Sequence, residues 1–238
     1  MGDEDHATGQ HLLTRRASIV RAGGLLAALG AGGWKSGLLE DASAAARGGP
    51  AGVASGALRC VLAPEQSEGP YFLDADKVRR NITEGKPGVP LELRLSVVDA
   101  STCRAIRGAA VDVWHCDASG SYSGVNGAAS RYLRGIQRTN AKGLATFTTI
   151  YPGWYPGRTV HIHVRVFISG AVVHTGQLYF PEATSNAVYR RAPYNRRSGR
   201  DTRNVVDSIF RNGGSRSLLG MKAAGKGYVG SITMGVNR

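Results

Sequence analysis

Residues 159–168 constrain this chain more than any other stretch. Val160, Ile162, Val164, Val166 and Ile168 alternate with Thr159, His161, His163, Arg165 and Phe167. Side chains along a strand point to opposite faces with period two. The run therefore predicts a half-buried strand that turns its aliphatic set into a core and presents both imidazoles on the other face. Two imidazoles side by side can grip one transition metal. The plainer alternative is a strand whose histidines only make hydrogen bonds. Just upstream stand a cation, Arg158, and a phenol, Tyr155, in the turn-like run Tyr155-Pro156-Gly157-Arg158.

The remainder of the chain has the same β character. Leu91, Leu93, Leu95 and Val97 alternate with Glu92, Arg94, Ser96 and Val98, and further strands are expected at 110–116, 144–150, 176–180 and 228–236. Turn signals separate them at 101–103, 117–120 and 140–143. The chain carries 33 glycines in 238 residues, a composition that disfavours long helices. Val205, Val206, Ile209 and Phe210 recur at helical spacing, so one short helix is expected over 201–212, capped by Asp201 or Thr202 and stopped by Gly213-Gly214. Short strands between turns with one small helix define a mainly β chain, a β-sandwich of mixed strands. Residues 190–203 read as an arginine-rich surface loop. The formal charge of +13 favours polyanions, but there is no long basic run and no nucleic-acid motif, so a solvated basic surface is expected and no nucleic-acid partner. Cys60 and Cys103 flank turn-like segments; sequence leaves their pairing open, since it does not fix their separation. Cys116, within a strand, reads as a small buried apolar residue.

The first 46 residues have the anatomy of a signal peptide: Arg15-Arg16, an apolar run over 22–34, and small residues at 42–46. The paired arginines resemble a twin-arginine export signal. The apolar run is too short for a stable membrane anchor. Residues 47–58 are Gly/Ala-rich and read as a linker, which leaves 59–238 as the folded domain. The expectation is export through that machinery, folded and cofactor-loaded, to the periplasm, cell wall or exterior.

Two segments together resemble the signatures of the intradiol ring-cleavage dioxygenases, the catechol 1,2- and protocatechuate 3,4-dioxygenase type. The first is Val113-Trp114-His115-Cys116-Asp117-Ala118-Ser119-Gly120-Ser121-Tyr122. The second runs from Thr149 through Tyr151-Pro152-Gly153-Trp154-Tyr155-Pro156-Gly157-Arg158 to His161-Ile162-His163, with Gln177 following. The resemblance covers roughly residues 60–180 and implies Fe(3+) held by Tyr122, Tyr155, His161 and His163. It also implies that Tyr155 yields its place to substrate, and that Arg158 and Gln177 are active-site residues. Gly69-Pro70-Tyr71 resembles a segment bordering the substrate pocket. The donor types suit this metal: phenolate is a hard anionic oxygen ligand for a highly charged ion, and ferric iron with two phenolates and a hydroxide is formally neutral. The reaction implied is O2-dependent opening of a catechol-type ring to a cis,cis-muconate-type diacid. Tyr151 is the rival to Tyr155 as ligand, while His115 and His174 read as structural. The chain lacks the long helical N-terminal region of the dimeric catechol enzymes, so oligomeric state stays open. The alternatives are copper or zinc on the two histidines, or a non-catalytic β-sandwich module binding an aromatic or a sugar.

Overall fold

The structure, a computed structural model, describes residues 60–74, 77–125 and 129–238. The expected signal peptide and linker lie outside the described residues. Among the described residues eight strands form two sheets: β1 (Pro90–Asp99), β2 (Ala110–Trp114), β3 (Arg134–Arg138), β4 (Leu144–Ile150), β5 (His161–Ile168), β6 (Ala171–Tyr179), β7 (Gly220–Ala224) and β8 (Gly227–Val236). One sheet has the order β4-β1-β8-β7 and the other β3-β2-β5-β6. All pairings are antiparallel except β1 with β8, which is parallel. The mixed β-sandwich expected from the pattern is present.

The core lies between the two sheets. Leu91, Leu93, Leu95 and Val97 of β1 meet Phe147 of β4, Val111 and Val113 of β2, and Ile162, Val164 and Val166 of β5 in one cluster. Each such side chain taken wholly out of water contributes about 1.5–3 kcal/mol, and alternation along each strand fixes its register against slippage. In β5 the outer face is covered too: His161 and His163 are 2% and 0% exposed. The strand is thus not half-buried at its start, because chain segments lie over the imidazoles.

Several expectations need correction. The strand expected at 176–180 begins five residues earlier, at Ala171, and β2 stops at Trp114. Strands β3 and β7 and the helix α1 (Glu182–Tyr189) were not expected. The helix expected over 201–212 is broken. Residues Asn204–Val206 make a single 3-10 turn, Asp207 is extended, and only α2 (Ser208–Arg211) is α-helical. Asp207, rather than Asp201 or Thr202, caps α2, accepting from the N–H groups of Ile209 and Phe210. The periodic Val205 and Val206 are exposed, so their spacing marked no buried face. Residues 190–203 are largely surface, as expected, but Tyr194 reaches inward and is buried. Cys60 and Cys103 form a disulfide, their Cα atoms 5.4 Å apart, and Cys116 is a buried free thiol.

Candidate metal centre

The centre sits on the outer face of the β3-β2-β5-β6 sheet. Register places Trp114 of β2, His163 of β5 and Gln177 of β6 side by side, with His161 opposite Tyr179. Two loops complete the face. The first follows β2: Asp117 Oδ1 accepts from the N–H groups of Ser119 and Ser121, an Asx-type turn that delivers Tyr122. Arg134 of β3, only 2% exposed, fastens the far side by donating from Nε to Ser123 Oγ and from Nη2 to the Ser123 carbonyl. The second loop follows β4 and delivers Tyr155 and Arg158. The loops pack on each other, with Gly153 N donating to the Asp117 carbonyl at 3.1 Å.

Three donor atoms converge. Tyr155 Oη lies 3.1 Å from His161 Nε2, and His161 Nε2 lies 3.2 Å from His163 Nε2. The His161 ring is held by its other nitrogen, 2.6 Å from the Thr159 carbonyl. A carbonyl only accepts, so Nδ1 carries the proton and Nε2 offers its lone pair to the centre. That lone pair faces Tyr155 Oη and His163 Nε2, while the buried His163 Nδ1 has no hydrogen-bond partner among the described residues. Tyr122 stands beside Tyr155, ring centroids 5.8 Å apart. The two phenols interact electrostatically, yet the buried Tyr122 Oη has no partner in hydrogen-bonding geometry among the described residues. His163 is stacked on Trp114 at 4.9 Å, and a Cβ added to Gly69 would lie 3.0 Å from His163 Cε1. Tyr71 stacks on Tyr122 at 4.4 Å, which closes the cover.

Burial drives every donor toward neutrality. Desolvation, reinforced by Arg158, pushes the His161 imidazole down to about 3, and desolvation together with the His161 ring holds His163 well below the usual range. Desolvation lifts the Tyr155 phenol to about 12 against the opposing pull of Arg158 and raises Tyr122 well above the usual phenol range. Neutral imidazole is the form that binds metal, and a highly charged cation reverses the preference of the phenols. An orphaned buried hydroxyl, an orphaned buried imidazole nitrogen and converging nitrogen and oxygen donors fit one hard transition-metal ion. Among the described residues no three His, Cys, Asp or Glu side chains cluster, so tyrosines must complete any such set.

Arg158 and Gln177 adjoin the donors and bond to each other, Arg158 Nη2 donating to Gln177 Oε1. Gln177 Nε2 in turn donates to the Ser67 carbonyl at 2.9 Å. Arg158 Nε donates to Asp207 Oδ2 at 2.8 Å. Burial acts to raise the Asp207 carboxyl, but hydrogen bonds from Phe210 N, Thr159 N and Arg158 outweigh it and hold the group below its ordinary value. Tyr151, the rival ligand, is elsewhere: its hydroxyl bonds Ser185 Oγ and its ring packs on Phe180. His115 bonds the Cys116 carbonyl and Thr149 Oγ1, and His174 pairs with Glu65, so both are structural. Asp207 and Arg134 escaped the sequence reading. Arg134 lies in a strand with little apolar alternation, and Asp207 lies 49 residues from its arginine. A cavity of about 620 Å³ opens on the same sheet face, lined by Phe72, Asp112, Arg138, Arg165 and Phe167. None of the four donors lines it, and Phe72, packed on Trp114, stands between.

Tyr122 and Tyr155, from two loops, thus stand with His161 and His163 of β5 over one covered sheet face of a β-sandwich. Residues 63–187 match the family model described as Dioxygenase. The structure is similar to the intradiol ring-cleavage dioxygenase from Tetranychus urticae, at 39% identity and a TM-score of 0.72 over 75% of this chain and 95% of that one. It is also similar to the dioxygenase domain of a dioxygenase carbohydrate-binding protein fusion from the cellulolytic bacterium Streptomyces sp. SirexAA-E. There the identity is 32% and the TM-score 0.60, over 74% of this chain and 99% of that one. The 3-chlorocatechol 1,2-dioxygenase from Rhodococcus opacus 1CP shares the fold at 21% identity and a TM-score of 0.56, over 79% and 76% of the two chains. No curated protein matched the chain. The chain belongs to the intradiol ring-cleavage dioxygenases, a family of ring-cleaving oxidoreductases.

Proposed function

We propose that this protein cleaves a catechol-type aromatic ring between its two hydroxyl-bearing carbons, using O2 and a ferric ion held by Tyr122, Tyr155, His161 and His163. The observation that carries the reading is His161 Nε2 standing 3.1 Å from Tyr155 Oη and 3.2 Å from His163 Nε2, beside a Tyr122 hydroxyl with no partner in hydrogen-bonding geometry among the described residues. Ferric iron supplies the means of bringing an electron-rich catecholate and O2 into reaction. The remaining chemistry belongs to the chain. His161, with its tautomer set by the Thr159 carbonyl, and His163, clamped by Trp114, keep their donor atoms fixed. Tyr155 is half-buried, whereas Tyr122 is buried under Tyr71, so Tyr155 is the phenol free to leave. With the metal held there, Tyr155 Oη would accept one of the two catechol protons, and a hydroxide from solvent would accept the other. Arg158 offers a fixed positive charge where negative charge develops on the opening ring, a preorganised electrostatic contribution. Gln177 holds that guanidinium through Nη2. Consistent with the signal-like first 46 residues, the protein works outside the cytoplasm.

The test is an iron assay with a visible spectrum of purified protein, before and after anaerobic addition of catechol. Stoichiometric iron, a tyrosinate-to-iron charge-transfer band and a shift of that band on catechol addition are expected. A protein that stays colourless after ferric loading would overturn the reading and bring the non-catalytic binding module forward. Substrate range then follows from O2 uptake on catechol, protocatechuate and hydroxyquinol.

A further inference from the structure

The segment 201–207 grips three consecutive residues of the site loop. Gly157 N donates to Asp201 Oδ2 at 3.2 Å. Arg158 Nε donates to Asp207 Oδ2 at 2.8 Å, Thr159 N donates to the same oxygen at 2.8 Å, and Thr159 Oγ1 donates to Asn204 Oδ1 at 2.6 Å. Asp207 is 1% exposed and fully committed. Its Oδ2 serves the site loop, while Oδ1 accepts from Ile209 N at 2.8 Å and Phe210 N at 2.9 Å to cap α2. All four acceptor positions of the carboxylate are thus used. The segment lies outside the 63–187 match to the family model.

We propose that Asp207 is a positioning residue for ring cleavage: it fixes the direction of the Arg158 guanidinium and, through Thr159, the carbonyl that orients His161. The inference rests on the dioxygenase reading above for its catalytic consequence, but not for its geometry. A guanidinium on a flexible stem must lose rotamer freedom to stabilise charge at one place. Here Nε is tied to Asp207 and Nη2 to Gln177, so both ends of the fork are set before substrate arrives. The two oxygens of Asp207 have separate tasks, and this makes the role separable from the capping of α2. Asparagine is as good an N-cap as aspartate, so Asp207→Asn keeps its oxygen for Ile209 and Phe210. Its NH2 then faces Arg158 Nε–H and Thr159 N–H, donor against donor, and the clamp is lost while the cap remains.

The experiment uses the full chain and two readouts. In nitrogen-15 NMR the Arg158 Nε–H signal, assigned by its loss in Arg158→Lys, is expected to exchange slowly with water in the wild type and at least tenfold faster in Asp207→Asn. In the iron-loaded protein, kcat on catechol is expected to fall at least tenfold while KM changes less than threefold. The Tm of the variant is expected to fall, because Arg158 Nε–H and Thr159 N–H lose a buried acceptor, so both readouts are taken well below it. Asp207→Ser, which also caps but does not reach Arg158, gives the same pattern and serves if the asparagine variant fails to fold. An Arg158 Nε–H that stays slow in both variants overturns the proposal, as does a lowered Tm with unchanged kcat. If wild type does not turn over catechol, the reading of the reaction fails for that substrate, and the exchange measurement alone decides whether Asp207 positions Arg158.

Discussion

The two loops that carry Tyr122 and Tyr155 touch through glycines, and this contact can be tested by adding one carbon. Gly153 packs on the turn before Tyr122: a Cβ there would lie 2.3 Å from the Asp117 carbonyl oxygen and 2.7 Å from that of Ala118. Both are backbone atoms that no rotamer change can move aside. Overpacking of this kind costs about 1–3 kcal/mol, and separating the loops also loses the Gly153 N–H bond to the Asp117 carbonyl, about 1 kcal/mol. Gly153→Ala is therefore expected to destabilise the metal-free protein by about 2–4 kcal/mol, roughly 4–16 °C in Tm for a domain of this size. Gly120 adds a second penalty. Its Cβ would lie 2.2 Å from the Trp154 carbonyl, and its φ is +87°, so Gly120→Ala incurs about 1–2 kcal/mol more. Gly170, at φ +85° with nothing within 4 Å, isolates backbone strain, and Gly170→Ala is expected to lose only that 1–2 kcal/mol. Urea denaturation of the three variants should rank them Gly120, Gly153, Gly170, from most to least damaged. The first two should also lose ferric charge-transfer colour, because Tyr122 and Tyr155 no longer share one site, while Gly170→Ala keeps it. A Gly153→Ala protein as stable as wild type with its colour intact would refute the claim that this loop contact sets the distance between the tyrosines.

Tyr122→Phe should behave oppositely in its two readouts. Removing a buried hydroxyl that has no partner in hydrogen-bonding geometry among the described residues is expected to leave the metal-free protein equally or more stable, by up to about 1 kcal/mol, while ferric loading gives markedly weaker colour. A large loss of stability on denaturant titration would show that the hydroxyl has a structural partner. The Cys60–Cys103 link spans 43 residues of sequence, and chain entropy alone gives it about 4 kcal/mol. Cys103→Ser should lower the unfolding free energy by roughly that amount, and thiol counting under denaturing conditions should find one free cysteine in the wild type. His115 is held by burial at about 4, below its ordinary 6.5. The unfolded chain therefore takes up its proton first, and the stability from keeping His115 neutral is full above pH 6.5 and lost as pH falls toward 4. Between pH 7.5 and 5 this amounts to about 2 kcal/mol. The metal-free wild type should lose that much more than His115→Gln over the same interval, and parallel pH profiles for the two would exclude His115 as the source.

Where one face of an element met a continuous core, sequence was enough. The alternation of β1 and β5 reports a sandwich because both strands turn one aliphatic face into the same interior. Elements stabilised by partners were not legible. Strand β3 has one central aliphatic, Ile136, and a buried Arg134 whose tolerance depends on Ser123. Helix α1 buries only Ser185 and Val188, too few for a periodic stripe. The helix expected over 201–212 failed because Asp207 leaves the helical conformation to serve Arg158 and Thr159, a demand set by residues far away in the chain.

Sequence by itself determined the chemistry available: two phenols, two imidazoles, a guanidinium and an amide in signature order, on strands and turns whose spacing is local. Tertiary structure decided how that chemistry is held. It set Tyr155, not Tyr151, beside His161 and packed the Tyr151 ring against Phe180. It covered the outer face of β5 with Tyr71, Phe72 and Tyr122, so that histidines expected to be half in water are neutral and dry. It brought Asp207 onto Arg158 from the C-terminal segment. Hydrogen bonds and desolvation act through space over a few ångströms, and the residues that supply them stand dozens of positions apart along the chain, where no periodicity records them.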